Sequence, residues 1–274
     1  SFDATAETAV IWIYRSWVRD GTVQAKVAYG DGPSDQSVAS STVFSKESGL
    51  EVGYLFNEES GDLLDVSGNG NDAAVFGASR GEGGIVDGAY SFDGTDDYVD
   101  TGKTASDFGV GGSKSKTVSA WVYTKSFNGG GVFEMGTENN TEDFSLRAMS
   151  TENEWRGQFW SNADIEFTYD SHNKWVHFVV TWDGTTTRIY ADGSEIANKD
   201  NNLNTGDSKT FKIGEWGNGF FDGIIDEVRV YDRALSSSEV SANYDATKSS
   251  PSLFDQEAAS GFATISGKVE FSGS

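Results

Sequence analysis

The sequence predicts an all-β fold, a sandwich or jelly roll built from many short strands. Among 274 residues, glycine is abundant at 33 and proline nearly absent at 2, which is typical of strands joined by glycine-rich turns. Aromatic residues make up 13% of the chain, which is too many for a disordered protein. Short apolar segments recur along the chain with turn residues between them, as in a β-sandwich.

Periodicity and turn chemistry predict the individual elements. Residues 117–123 and 175–182 alternate in polarity, so each is expected to be a strand with two distinct faces. Asp192-Gly193 separates two short strands and predicts a type I′ hairpin. Ser236 with Glu239 three residues later matches a capping box and predicts one helix. Further strands are expected at 52–56, 131–135, 144–148, 155–160, 211–214 and 223–231.

The chain divides into three segments. Residues 1–46 are a strand-rich segment that ends in a Ser-rich linker, and 47–247 carry the main run of strands. Residues 248–274 combine a polar linker with one last alternating strand. We expect the two end segments either to pair with each other as a small additional β segment or to pair with another chain, because unpaired strand edges attract a partner strand.

The charge of the chain restricts its partners. The net charge of −23, from 43 acidic and 20 basic residues, repels phosphate backbones, so nucleic acid is not expected as a partner. An acidic charge spread along the whole chain is expected where multivalent cations are abundant, in a halophilic source, or in a secreted protein. The absence of cysteine excludes disulfides and thiolate sites. No apolar run is long enough to span a membrane.

The ordered motifs of residues 47–247 resemble the LamG-like (laminin G) jelly roll of the concanavalin A-like superfamily. The resemblance rests on the order of these blocks: Tyr54-Leu55-Phe56, Asp65-Val66-Ser67-Gly68-Asn69-Gly70-Asn71-Asp72, Tyr90-Ser91-Phe92-Asp93-Gly94, Val118-Ser119-Ala120-Trp121-Val122, Trp175 to Gly184, Tyr190-Ala191-Asp192-Gly193 and Phe221 to Ser236. It implies a concanavalin A-like β-sandwich. Residues 1–46 are similar to the tail of a small β-domain of unknown function often found beside such jelly rolls in prokaryotic and archaeal surface proteins.

The resemblance also implies a structural calcium ion that ties an early turn to the last strand. Calcium prefers several oxygen ligands supplied by turns. The expected ligands are Asp65, Asn69, Asn71 and Asp226, and the acidic hairpin with Asp93, Asp96, Asp97 and Asp100 is a second candidate. The alternative is that Asp, Asn and Gly simply form good turns here.

A carbohydrate site is the other expectation, since lectin-like sites stack sugar rings on exposed aromatic side chains. The candidate ligand-binding residues are Trp216, Trp155, Trp160, Asn218 and Phe220. The alternative is ordinary sandwich core. The sequon Asn139-Asn140-Thr141 makes Asn139 a candidate glycosylation site.

No catalytic residue is predicted. Gly77-Ala78-Ser79-Arg80-Gly81 matches a nucleophile-elbow pattern, but that motif requires a strand–turn–helix, and we expect a loop here. Glycosidases of this fold place carboxylates close together along one strand, and no such run is present.

Two classes of function remain. The first is an extracellular, non-catalytic recognition module, one that binds carbohydrate or a cell surface within a larger surface or virion protein. The second is a structural subunit of a filament, surface layer or virus appendage assembled through edge strands. The expected location is the outside of a cell or virion.

Overall fold

The structure is a computed structural model that describes residues 47–248, so the predicted end segments lie outside the described residues. Within this range the chain forms seventeen strands, one α-helix and one short 3-10 helix, Ser161–Ala163. They are β1 Leu50–Tyr54, β2 Ala74–Phe76, β3 Ser79–Gly83, β4 Gly88–Asp93, β5 Tyr98–Asp100, β6 Lys116–Ser126, β7 Gly131–Gly136, β8 Ser145–Ala148, β9 Glu154–Gln158, β10 Ile165–Thr168, β11 Trp175–Trp182, β12 Thr186–Ala191, β13 Ser194–Asp200, β14 Lys209–Ile213, β15 Glu215–Trp216, β16 Gly219–Phe220, β17 Asp222–Tyr231 and α1 Ser237–Lys248.

The strands of the described region form two sheets that pack as a sandwich. The first sheet has the order β13-β12-β11-β6-β17-β4-β3, with β1 also paired to β17. The second has the order β10-β9-β8-β7-β14-β5-β2, and the small hairpin β15–β16 joins it at β7. All pairings except β16 with β7 are antiparallel between these strands, which confirms the predicted jelly roll.

The core lies between the two sheets and is filled by every second residue of the central strands. In β11 the side chains of Val176, Phe178 and Val180 point inward and are at most 1% exposed. Val179, one position out of phase, instead joins a smaller apolar cluster on the other side of the sheet. The alternation predicted for residues 175–182 is therefore confirmed. Both faces of this strand are buried, one against the core and the other against the smaller cluster.

The helix covers the outer face of the first sheet. Tyr244 stacks on Trp121 with ring centroids 5.6 Å apart and lies 6.2 Å from His177. Trp121 Nε1 donates a hydrogen bond of 2.9 Å to Thr247 Oγ1. Burial lowers the pKa of His177 to about 3, so this imidazole is neutral and serves packing. One outer face of the sandwich is thus occupied by the protein itself.

Two local predictions are confirmed. The backbone N–H of Ser236 donates to Glu239 Oε2 at 2.8 Å, and that of Glu239 donates back to Ser236 Oγ at 3.3 Å, which is the expected capping box. Asp192 and Gly193 have φ of 49° and 79°, as a type I′ turn between β12 and β13 requires.

One prediction is wrong: residues 79–83 form a strand, β3, rather than a loop. The strand pairs with β4 through its backbone while most of its side chains are exposed. Because no residue of Ser79–Gly83 enters the core, the sequence shows no apolar alternation there. The surroundings of Ser79 are strand–turn–strand, so they differ from the strand–turn–helix of a nucleophile elbow.

The beginning and the end of the described region meet. Tyr231 donates a hydrogen bond of 2.8 Å to Glu47 Oε1, and Asn243 of α1 approaches the same oxygen at 3.3 Å. Both contacts lie on the side of the first sheet that the helix covers. Within residues 47–248 no helix is long and apolar enough to cross a lipid bilayer.

Candidate functional site

The outer face of the second sheet is lined by charged side chains, and in the described region no helix covers it. Arg147 of β8 lies directly opposite Arg156 of β9, and Glu134 of β7 lies opposite Lys212 of β14. Directly opposed residues of an antiparallel pair point to the same face, so the four side chains share one surface. We call this surface the outer face below.

A short hairpin, β15–β16, rests beside β7 because glycines leave room for it. A Cβ atom on Gly131 would lie 2.4 Å from Cβ of Trp216, and one on Gly130 would lie 2.1 Å from the carbonyl oxygen of Phe220. Real Cβ contacts are never this short, so only glycine permits the approach. The glycine run 129–131 therefore determines where Trp216 is placed.

Trp216 is held at the outer face by several groups. Its Nε1 donates a hydrogen bond of 2.9 Å to Asp143 Oδ2. The guanidinium carbon of Arg147 lies 3.8 Å from the ring centroid, a close cation–π contact. The ring of Trp160 lies 6.1 Å away and tilted by 38°. Both indoles remain partly exposed, so the two tryptophans and Arg147 form an accessible aromatic cluster.

Two buried carboxylates lie beneath this cluster. Burial raises the pKa of Asp143 to about 7, with a further increase from Glu134, against the hydrogen bonds from Ser145 and Trp216. Glu134 accepts 2.7 Å and 3.2 Å hydrogen bonds from Lys209 Nζ and from the backbone N–H of Gly217.

Each oxygen of Asp143 and Glu134 accepts a hydrogen bond from the protein, and both side chains are only 1% exposed. A general acid or nucleophile must reach its substrate. These two carboxylates instead anchor the hairpin that carries Trp216.

The predicted ligand-binding residues separate into three environments. Trp216 and Trp160 are brought together in the aromatic cluster, and Asn218 is exposed at the tip of the β15–β16 hairpin. Phe220 is half-buried on the return strand of that hairpin. Trp155 is fully buried and packs 4.5 Å from Phe178, so its assignment to a surface site is corrected: it is a core residue.

Arg147 and Asp143 are the members of the cluster that the sequence did not suggest. Arg147 stands in the short segment Ser145–Ala148, where its alternation with buried Leu146 indicates only an outward position. Its partner Trp216 is far away in the sequence. Such a contact depends on the order of strands in the sheet, and no local pattern encodes that order.

A second aromatic group lies toward the other edge of the same sheet. Phe76, at 44% the most exposed large apolar side chain among residues 47–248, stacks on Tyr98 at 4.6 Å. Phe220 lies 6.4 Å from Tyr98, and Lys212 Nζ lies 4.8 Å from the Tyr98 ring centroid. Phe220 thus belongs to this second group rather than to the Trp216 cluster.

The predicted calcium ligands make hydrogen bonds within the protein. The carboxylate of Asp65 accepts hydrogen bonds from the N–H groups of Gly53, Ser67 and Asn71, so it organises its own turn. The ammonium group of Lys103 already contacts Asn71 Oδ1, where a metal ion would bind.

Asn69 donates to the carbonyl oxygen of Glu51 at 3.0 Å. Asp226 lies elsewhere: its Oδ2 accepts hydrogen bonds of 2.8 Å and 3.1 Å from the N–H groups of Ile85 and Val86. Calcium at these four residues stays a prediction.

The acidic hairpin behaves differently from the turn. Carboxylate oxygens of Asp93, Asp96 and Asp97 lie within 4.8 Å of one another, which brings three of the four residues of the second candidate together. One oxygen of Asp97 accepts a hydrogen bond from the backbone of Asp93, and burial raises the Asp97 pKa. Within the described chain this is the only such group of potential metal ligands found.

Asn139 lies in the loop between β7 and β8 and is exposed, so an acceptor side chain is accessible there. Its glycosylation stays a prediction.

Comparison with known proteins supports the fold independently. The model of the concanavalin A-like lectin/glucanases superfamily matches residues 93–241, more than half of the chain. A search of curated proteins finds no significant relative.

Several solved structures share the fold at low sequence identity. Domain 4 of AbnA, a GH43 extracellular arabinanase from Geobacillus stearothermophilus, in complex with arabinotriose, is 20% identical; the match has a TM-score of 0.50 and covers 72% of this chain and 98% of that one. The receptor-binding domain of botulinum neurotoxin C/D mosaic serotype is 14% identical at a TM-score of 0.57, with 72% of this chain and 51% of the other covered. Trypanosoma rangeli sialidase in complex with sialic acid is 21% identical at a TM-score of 0.59, with 73% and 34% covered. The chain therefore spans about half of the toxin domain and a third of the sialidase.

Proposed function

Since the chain belongs to the concanavalin A-like lectin/glucanases superfamily, we propose that it is a non-catalytic carbohydrate-binding module of an extracellular protein, with the Trp160–Trp216 cluster as its binding surface. The observation that carries the proposal is the position of Trp216. Its ring is partly exposed on the uncovered face of the sandwich, and its edge is hydrogen-bonded to Asp143. A sugar ring needs such a stationary aromatic platform, because binding then costs little side-chain entropy.

The solved structures give this proposal its context. One similar domain was determined with arabinotriose and belongs to an extracellular arabinanase, and another similar chain is a sialidase with sialic acid. At these identities the likeness concerns the fold, so the location of the sugar site in this chain rests on the tryptophan cluster alone.

The burial of Asp143 and Glu134 supports the non-catalytic part of the proposal. Neither carboxylate is accessible to a substrate, and their oxygens are engaged by the hairpin. The alternative function, a structural subunit assembled through edge strands, rests on the two end segments outside the described residues and stays a prediction.

A glycan array tests the proposed function with three proteins: the natural chain, Trp216→Ala, and Trp175→Ala as control. Trp175 is a half-buried tryptophan of the first sheet that packs against Tyr123 at 5.8 Å, away from the outer face. We expect saturable binding to at least one sugar class, weakened about tenfold or more by Trp216→Ala and unchanged by the control. The assay is run in about 0.15 M and in about 1 M salt with calcium, to screen the net charge.

An array without binding, from protein shown by circular dichroism to be folded, would refute the proposed function. Sedimentation in the same buffers then becomes decisive, since a polymer would support the structural alternative.

A further inference from the structure

We propose that the sugar bound at this cluster carries a carboxylate, which Arg147 and Arg156 pair with while its ring stacks on Trp216. This inference rests on the proposed function and specifies the class of ligand.

The first observation is an opposition of like charges. Arg147 and Arg156 are direct partners across β8 and β9, and like charges in this arrangement repel each other. Arg156 has one partner, the carboxylate of Glu166. Arg147 forms no ion pair with any described residue, although the chain has 43 acidic residues. Its Nη2 donates to the carbonyl oxygen of Gly129 at 3.0 Å.

The second observation is a concentration of unsatisfied polar atoms. In residues 47–248, eight buried side-chain nitrogen and oxygen atoms have no hydrogen-bond partner. Four of them lie at this one site: Nε of Arg147, Nε of Arg156, Nε1 of Trp160 and Oε1 of Gln158. Unsatisfied buried donors are costly and rare, so their clustering marks this site as unusual. These atoms are themselves buried, and a ligand would instead reach the partly exposed terminal nitrogens of Arg147 and Arg156.

The chemistry of the two guanidinium groups indicates the ligand. A guanidinium only donates hydrogen bonds, so the ligand that complements the partly exposed ends of Arg147 and Arg156 must offer acceptors. A neutral sugar hydroxyl both donates and accepts, whereas a carboxylate only accepts and matches a guanidinium in a planar, two-point contact.

Glu166 pairs with Arg156, whereas Arg147 has only the longer-range attraction of Asp143 and Asp164. Glu134 is paired with Lys209 at 2.7 Å. Asp164 accepts hydrogen bonds from Gln158 Nε2 at 3.0 Å and from the N–H of Phe159 at 2.7 Å. Burial raises the pKa of Asp143 to about 7, so this side chain is largely uncharged in mildly acidic solution.

Titration calorimetry of the full chain at pH 6 and about 0.15 M salt, where the Debye length is about 8 Å, tests the inference. The probes are matched pairs: 3′-sialyllactose with lactose, and trigalacturonate with its methyl ester. Lactose 3′-sulfate separates recognition of a carboxylate from recognition of charge alone. We expect at least one acidic probe to bind about tenfold or more tighter than its neutral counterpart.

Two variants complete the test. Arg147→Gln should remove the preference for the acidic probe, in protein shown by circular dichroism to be folded. Arg188→Gln removes the same charge from the first sheet, where Arg188 is paired with Asp183 at 2.5 Å, and should keep the preference.

The possible failures are distinguishable. Equal binding of acidic and neutral probes, lost in Trp216→Ala, would overturn the carboxylate inference and retain the proposed function. Equal binding of the sulfated and the carboxylated probe would overturn the inference that the arginines recognise a planar carboxylate. No binding of any probe to the folded chain would overturn both.

Discussion

The substitution Asp143→Asn should change how the stability of the sandwich depends on pH. Burial raises the pKa of Asp143 from 3.8 to about 7, so the folded chain holds this proton over a range in which the unfolded chain has lost it. The contribution of the group is therefore fully present below pH 4 and lost as the pH rises toward 7. Asparagine keeps an acceptor for Trp216, and its amide nitrogen can donate to the Ser145 hydroxyl in place of accepting from it, but it does not titrate.

The size of the effect follows from the difference between the ordinary pKa of 3.8 and the folded value of about 7. Between pH 5 and pH 8 this difference lowers the free energy of unfolding of the natural chain by about 2 to 3 kcal/mol relative to the variant. The measurement is urea unfolding of both proteins at several pH values in constant salt, because every other titrating group cancels in the difference.

Asp183→Asn provides the control. Burial acts to raise the pKa of Asp183, but the hydrogen bonds from Arg188, Thr186 and Thr185 outweigh it and hold the pKa well below its usual range. This carboxylate is ionised in both states throughout pH 5 to 8, so its variant should differ from the natural chain by a constant amount. A constant difference for Asp143→Asn as well would refute the reasoning and show that the carboxylate is charged when folded.

Two further predictions concern the hairpin and the core. Gly131→Ala places a Cβ atom 2.4 Å from the Cβ atom of Trp216. This variant should lower the free energy of unfolding by about 1 to 3 kcal/mol, measured in urea, and should abolish sugar binding. The control is Gly83→Ala, whose methyl group points into open space and should change neither quantity. Phe178 is 1% exposed, so Phe178→Ala should lower the free energy of unfolding by about 3 to 5 kcal/mol in the same measurement. Phe76 is 44% exposed, so Phe76→Ala should lower it by less than about 1 kcal/mol. Similar values for the two variants would contradict the assignment of the core.

The central strands were predictable because burial on one or both faces leaves a local pattern. Residues 175–182 alternate between side chains that enter the core and side chains on the helix-covered face. Asp192-Gly193 has the residue types that a type I′ turn requires. The start of the helix was also predictable from local sequence, since Ser236 and Glu239 hydrogen-bond to each other within its first turn.

The site was only partly predictable because its parts come from distant strands. Trp216 and Trp155 were both candidates for the sugar site, but only Trp216 is partly exposed and Trp155 is buried. Local sequence around Arg147 and Asp143 does not reveal that the β15–β16 hairpin lies against them. The strand at Ser79–Gly83 was missed because its side chains are mostly exposed and leave no apolar alternation in the sequence.

The contact between Glu47 and Asn243 has a consequence for attaching the protein to a support. Lys248 follows about 8 Å farther along the helix, so both ends of the described region lie on the side opposite the tryptophan cluster. A support coupled at residues 47 and 248 would therefore leave the outer face directed away from it and accessible to a ligand in solution.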